Sequence, residues 1–158
     1  MHYITDTLLV GNAEDAERPA PFIEAILFVA GDYAIDPPGG VKFAQVPLVE
    51  FGEADPHDVL DAVEWLEENA PSQRLMVCCR AGLGRSVSMV IAYLCCVEGM
   101  SYDEALELVK ARRPGATPLP NLEQTIQKVQ QIRRARHAHG RTRGQEADPS
   151  PSSEAGSR

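Results

Sequence analysis

Arg74-Leu75-Met76-Val77-Cys78-Cys79-Arg80-Ala81-Gly82-Leu83-Gly84-Arg85-Ser86 is the stretch from which the fold can be read. Its first five residues form a short apolar run of the kind that makes a buried strand. From Ser86 to Val97 the chain is again apolar, but long enough for a helix. Between the two lies a turn with glycines at 82 and 84, so a thiol at Cys79 stands between a strand and a helix N-terminus. At such a junction backbone N–H groups point outward and the helix dipole favours negative charge. The setting suits a thiolate and also a phosphate dianion.

Other apolar runs alternate with helical patterns on both sides of this segment. Thr7 to Val10 reads as a short strand ending at the turn signal Gly11-Asn12, and Ala25 to Ala30 as a buried strand. Asp36-Pro37-Pro38-Gly39-Gly40 is a loop, followed by a strand over Val41 to Leu48 that Pro47 weakens. Asp55-Pro56 opens a helix as cap and first helical residue, and Val59, Ala62, Val63 and Leu66 give it one apolar face. Ser101-Tyr102-Asp103-Glu104 is a capping box that opens another helix, which ends by Arg113-Pro114-Gly115. A last helix is expected from about Asn121 to Arg136. The predicted class is α/β: a central, mostly parallel sheet of about four to five strands flanked by helices. One domain over residues 1–136 and a disordered polar tail over 137–158 complete the expected organisation.

Charge narrows the function. Residues 1–132 carry 9 Lys/Arg against 20 Asp/Glu, a balance of −11, whereas residues 133–158 carry 6 against 3. An acidic body argues against nucleic acid as a partner. The longest apolar stretch, Met89 to Val97, is too short to span a bilayer, so no membrane association is expected. Met1-His2-Tyr3 leads straight into a strand-like run rather than a secretory leader pattern. Four cysteines fall as two adjacent pairs, Cys78-Cys79 and Cys95-Cys96, which is neither a disulfide framework nor a zinc spacing. The expectation is a cytoplasmic monomer with reduced thiols and no cofactor.

The chemistry concentrates on the glycine turn. Cysteines at a helix N-terminus beside a cation reach pKa values of about 3.5 to 7.5. Arg85 is a planar fork that matches two phosphate oxygens at once. Gly82 and Gly84 permit a backbone nest of N–H groups, and Ser86 follows where a hydroxyl can reach the sulfur.

Cys79-x5-Arg85-Ser86 resembles the signature of the cysteine-dependent protein phosphatases, and more narrowly that of the small dual-specificity phosphatases, including compact prokaryotic members. The resemblance covers most of residues 1–132. It includes the opening Ile4-Thr5-Asp6-Thr7-Leu8-Leu9-Val10-Gly11-Asn12-Ala13-Glu14-Asp15-Ala16, the Ala92-Tyr93-Leu94 that follows the signature, and Ala105-Leu106…Val109…Arg112-Arg113-Pro114-Gly115. It implies a phosphatase that acts on phosphotyrosine, and on phosphoserine or phosphothreonine, in proteins or peptides. Cys79 would be the nucleophile and form a cysteinyl-phosphate. The loop Arg80, Ala81, Gly82, Leu83, Gly84 and Arg85 would hold the phosphoryl oxygens. Ser86 would stabilise the leaving thiolate, and no metal would be needed. A non-protein phosphate (phosphoinositide, inositol phosphate or RNA 5′ end) is the alternative substrate class. A phosphate-binding module without turnover is the alternative outside catalysis.

Two positions depart from the family pattern. Cys78 stands where the family has a histidine that organises the loop and tunes the thiol. It reads as a small buried apolar residue, with trapping of an oxidised Cys79 by Cys78, Cys95 or Cys96 as the redox alternative. The family's acid is an aspartate about 30 residues before the nucleophile; Val46-Pro47-Leu48-Val49-Glu50 places Glu50 there, with Glu53 and Asp55 as alternatives on the same loop. Gln124 is a further polar candidate on the last helix. Trp65 reads as packing, and His2, His57, His137 and His139 show no ligand spacing.

Overall fold

Three fully buried runs, Leu8–Gly11 (β2), Ala25–Phe28 (β3) and Leu75–Cys78 (β5), lie side by side as parallel strands with β5 in the middle. A computed structural model of the chain describes residues 1–147. Two further strands close the sheet. His2–Tyr3 (β1) pairs antiparallel with β2, and Lys42–Gln45 (β4) pairs parallel with β3, giving the order β1-β2-β5-β3-β4. Strands buried on both faces read as unbroken apolar runs, which is why β2, β3 and β5 stand out in the sequence. Strand β4 is shorter than the Val41–Leu48 run predicts and only partly buried. Pro47 has no N–H for a ladder, so pairing stops before it.

The register brings the strand ends together. Gly11 and Phe28 both sit opposite Cys78, so the segments after β2, β3 and β5 leave the sheet at one edge. The carboxyl edge of a parallel sheet is where α/β folds place their sites.

The helices are Ala13–Glu17 (α1), Pro56–Asn69 (α2), Arg85–Cys96 (α3), Tyr102–Arg112 (α4) and Leu122–Ala147 (α5). Asp55 and Ser101 cap α2 and α4 as their sequences predict. Helix α1 is not apparent from hydrophobic periodicity. Asn12, read as a turn residue, forms a capping box with Asp15 and starts it. Helix α3 is buried from Arg85 to Cys95 and packs against β5, β2, α2, α4 and α5. A helix that is apolar on every side belongs inside the domain.

Helix α5 runs past the expected end near Arg136 and continues through residues 137–147, where composition predicts an unstructured tail. Extending an existing helix adds one hydrogen bond per residue ordered, so Ala, Arg, Gln and Glu can continue it without a new nucleus. The remainder of that predicted tail, 148–158, lies outside the described residues. Arg133 and Arg136 tie α5 to α2 through Glu67 and Glu64. Among the described residues no helix is long and apolar enough to cross a membrane.

Candidate active site

Between β5 and α3 the chain makes a tight loop around the sulfur of Cys79. Gly82 N–H donates to that sulfur at 3.2 Å, and Ser86 Oγ lies 3.3 Å from it. The loop holds its shape because its carbonyls are pinned from outside. Ala13 N–H donates to Arg80 O at 3.0 Å, Arg113 Nε to Gly82 O at 2.9 Å, and Thr117 N–H to Leu83 O at 2.7 Å. Ser88 donates twice to Gly84 O, from its backbone N–H at 3.0 Å and its hydroxyl at 2.7 Å.

In a trans peptide the carbonyl and the next N–H point opposite ways, and the described chain has no cis peptide. Pinning the carbonyls of 80, 82, 83 and 84 therefore turns the N–H groups of 81, 83, 84 and 85 away from their braces. A nest of successive N–H groups is an anion site.

Gly82 is required by this geometry. Its φ is +74°, and a Cβ there would lie 2.6 Å from Gly11 O and 2.5 Å from Arg113 Nη2. Only a residue without a side chain fits so close to the β2–α1 turn.

Arg85 is buried at 2% exposure and faces two carboxylates. Its Nη1 donates to Asp32 Oδ1 and, at 3.2 Å, to Leu48 O; its Nη2 lies 3.6 Å from Glu50 Oε2. The Arg85 hydrogen bond holds the Asp32 carboxyl below its usual range, so it is an anion at neutral pH. Asp32 was not among the residues the sequence singles out. The signal that could have found it is topological: it follows the end of β3, a direct neighbour of β5, and neighbouring parallel strands release their loops to the same place.

The three acids proposed for the loop after β4 separate clearly. Glu50 lines the cleft and faces Arg85. Asp55 accepts from His57 N–H at 2.8 Å and caps α2, while Glu53 accepts from Asn121 Nδ2 at 2.7 Å. The cleft itself measures about 500 Å³, and its walls are mostly apolar: Phe51, Leu83, Pro118, Leu119 and Pro120. Phe51 is 85% exposed and has φ +65°, an uncommon conformation for an aromatic residue. Arg80 contributes backbone to the loop, but its guanidinium lies over the Tyr33 ring, 5.7 Å from the centroid.

Gln124 is exposed and Trp65 is half-buried against the core; neither lines the cleft. Cys78 is fully buried, and burial pushes its thiol well above the ordinary value. Cys95 and Cys96 stand in the last turn of α3, roughly 15 Å along the helix from Arg85 at 1.5 Å per residue. Burial pushes both of their thiols up to about 11. All four cysteines are free.

Comparison with known proteins agrees with this geometry. The family model "Dual specificity phosphatase, catalytic domain" matches residues 23–132. The dual specificity protein phosphatase Mpk3 of Drosophila melanogaster is 33% identical over 82 residues, which are 51% of this chain and 20% of that protein. The dual specificity protein phosphatase 1B of Arabidopsis thaliana is 39% identical over 133 residues, 80% of each chain. The fold matches the crystal structure of the human tyrosine phosphatase-like serine/threonine/tyrosine-interacting protein with a TM-score of 0.73. That match has 21% identity and covers 84% of this chain and 96% of the other. The matched region thus spans only a fifth of the Drosophila relative but most of the Arabidopsis one. With the matched model covering β3 to α5 and the pinned loop at its centre, the chain belongs to the dual-specificity phosphatase family.

Proposed function

We propose that the protein is a phosphomonoesterase that removes phosphate from tyrosine residues of proteins through a cysteinyl-phosphate. The observation that carries this reading is the pinned loop around Cys79, with the Gly82 N–H on its sulfur at 3.2 Å and Cys79 lining a mostly apolar cleft. In the first step the Cys79 thiolate attacks phosphorus. The S–P bond forms as the P–O ester bond breaks, and the departing phenol oxygen takes a proton from Glu50. The N–H groups of the loop and Arg85 hold the equatorial oxygens, whose charge rises in the transition state. In the second step water attacks the cysteinyl-phosphate and gives its proton to the Glu50 carboxylate. The S–P bond breaks, inorganic phosphate leaves, and Ser86 Oγ stabilises the returning thiolate.

The walls support an aromatic phosphoester. Phe51, Leu83, Pro118 and Leu119 offer apolar surface to a flat ring, and Arg85 is the one cationic side chain lining the cleft among the described residues. Polyphosphorylated inositols or an RNA 5′ end would call for more cations than this. The four free thiols fit a reducing compartment such as the cytoplasm.

The test is hydrolysis of p-nitrophenyl phosphate and of phosphotyrosine peptides. Turnover should be blocked by vanadate and abolished in Cys79→Ser, and a phosphate adduct on Cys79 should be trapped by rapid quench and mass spectrometry. Tight phosphopeptide binding with no hydrolysis by the intact protein would replace the enzyme with a binding module.

A further inference from the structure

Arg113 braces Gly82 O, but the mechanism above makes no use of its charge. It ends α4, is only 7% exposed, and has no carboxylate within 4.0 Å among the described residues. Burying a cation without a counter-ion is unfavourable, and proteins seldom do it without use. Both of its hydrogen-bonding partners are uncharged acceptors. Nε donates to Gly82 O at 2.9 Å, and Nη1 lies 2.7 Å from His2 Nδ1. Its Nη2 abuts the loop closely enough that a Cβ on Gly82 would stand 2.5 Å away.

The position of this charge matters because of what happens to the other one. Arg85, the cation inside the cleft, already faces the carboxylates of Asp32 and Glu50. The Asp32 carboxylate already answers part of the Arg85 charge before any ligand arrives. Arg113 stands behind the same loop with no carboxylate in contact among the described residues. The hydrogen bond it gives to Gly82 O also fixes the 82–83 peptide, so the Leu83 N–H points the other way.

His2 decides where Arg113 points. A neutral imidazole offers a lone pair at Nδ1, and burial together with the Arg113 charge favours the neutral form. His2 lies in β1, ahead of residues 23–132, the stretch that the family model matches.

We propose that Arg113, aimed by His2, is a positioning residue of the phosphate cradle: it holds the Gly82–Leu83 peptide with its N–H toward the ligand and backs the loop with a buried positive charge that no carboxylate contacts among the described residues. This rests on reading the cleft as a phosphatase site.

The experiment measures kcat and KM for p-nitrophenyl phosphate, the inhibition constant of vanadate, and Tm, on the full chain. Arg113→Met keeps a long apolar stem and removes the charge and the donor. It should weaken vanadate roughly tenfold or more and lower kcat/KM by roughly ten- to a hundredfold. Arg113→Lys should recover part of the vanadate affinity, because it restores the charge. His2→Ala should move both constants the same way by about threefold, and His2→Gln, which keeps an acceptor, should recover most of that loss. The His2 pair lies on an exposed edge strand and gives the answer should Arg113→Met not fold. Variants within twofold of wild type on both constants would overturn the proposal, as would equal losses in His2→Ala and His2→Gln. A wild-type protein that neither hydrolyses the substrate nor binds vanadate would instead overturn the phosphatase reading itself.

Discussion

Behind the loop at 79–85, carbonyl after carbonyl is tied to a rigid neighbour: Ala13 at the β2–α1 turn, Arg113 at the end of α4, Thr117 beyond it and Ser88 on α3. In front of it, the parts that face Arg85 and the cleft are loops. Asp32 follows β3, and Glu50 and Phe51 follow β4, with Phe51 almost wholly in solvent. The rear has glycine where nothing else fits; the rim has a bulky aromatic where a glycine would sit more easily. The contrast separates two tasks. Holding N–H groups on a phosphoryl group tolerates little movement, since an error of 1 Å can cost a hundredfold. Gripping a substrate and moving a proton needs groups that can adjust as the ligand arrives.

The sharpest way to break this contrast is Gly82→Ala. The left-handed backbone and the overlap with Gly11 O should together cost about 2–4 kcal/mol, and the distorted nest should lower kcat/KM by roughly a thousandfold. Thermal unfolding and steady-state kinetics on the same sample check both. A folded Gly82→Ala with near wild-type turnover would mean that the rear is not rigid.

At the rim the effects should be smaller and depend on substrate. Glu50→Gln should slow phosphotyrosine peptides by roughly a hundredfold and act far less on an aryl phosphate with an acidic leaving group, which needs no proton. Equal losses on both would move the acid elsewhere. Asp32→Ala should cost about tenfold by letting Arg85 swing, whereas Asp32→Asn, which retains an acceptor, should cost less.

The pH dependence of the Asp32 contact has a definite sign. The folded-state pKa of Asp32 is lowered, chiefly by the Arg85 hydrogen bond, so the ion pair is in place above the ordinary carboxylate range. It is released as pH falls through the lowered value. An NMR titration of the carboxyl should show the lowered midpoint in wild type and its return toward the ordinary range in Arg85→Met.

Phe51→Gly should be the mildest change. Relief of the left-handed conformation, about 1 kcal/mol, is offset by the extra freedom of glycine in the unfolded chain, so Tm should stay put. The KM for an aryl phosphate should rise by about threefold through loss of a ring contact.

Much of the fold was legible because its signals are local. Buried parallel strands show as apolar runs, and Asp55-Pro56 and Ser101 to Glu104 show as helix starts. Other elements needed the whole molecule. Strand β1 is two residues long and carries no periodic signal, and α1 depends on a capping box that reads equally well as a turn.

The site divides in the same way. Cys79, Arg85 and Ser86 lie within eight positions of one another, so their spacing on a strand–turn–helix unit could be read from the chain alone. Glu50, Glu53 and Asp55 were named together from a likeness of segments; where each side chain lies, Glu50 in the cleft, Glu53 on Asn121 and Asp55 on the α2 cap, is set by the packed structure. Asp32 stands 53 positions from Arg85, and His2 111 positions from Arg113. No periodicity or local propensity links residues so far apart. What joins them is strand order and register, which the packing of the whole sheet decides. The linear order of residues shows which side chains share the loop. Which charges surround it depends on the packed fold, because a charge acts through distance in space and not along the chain.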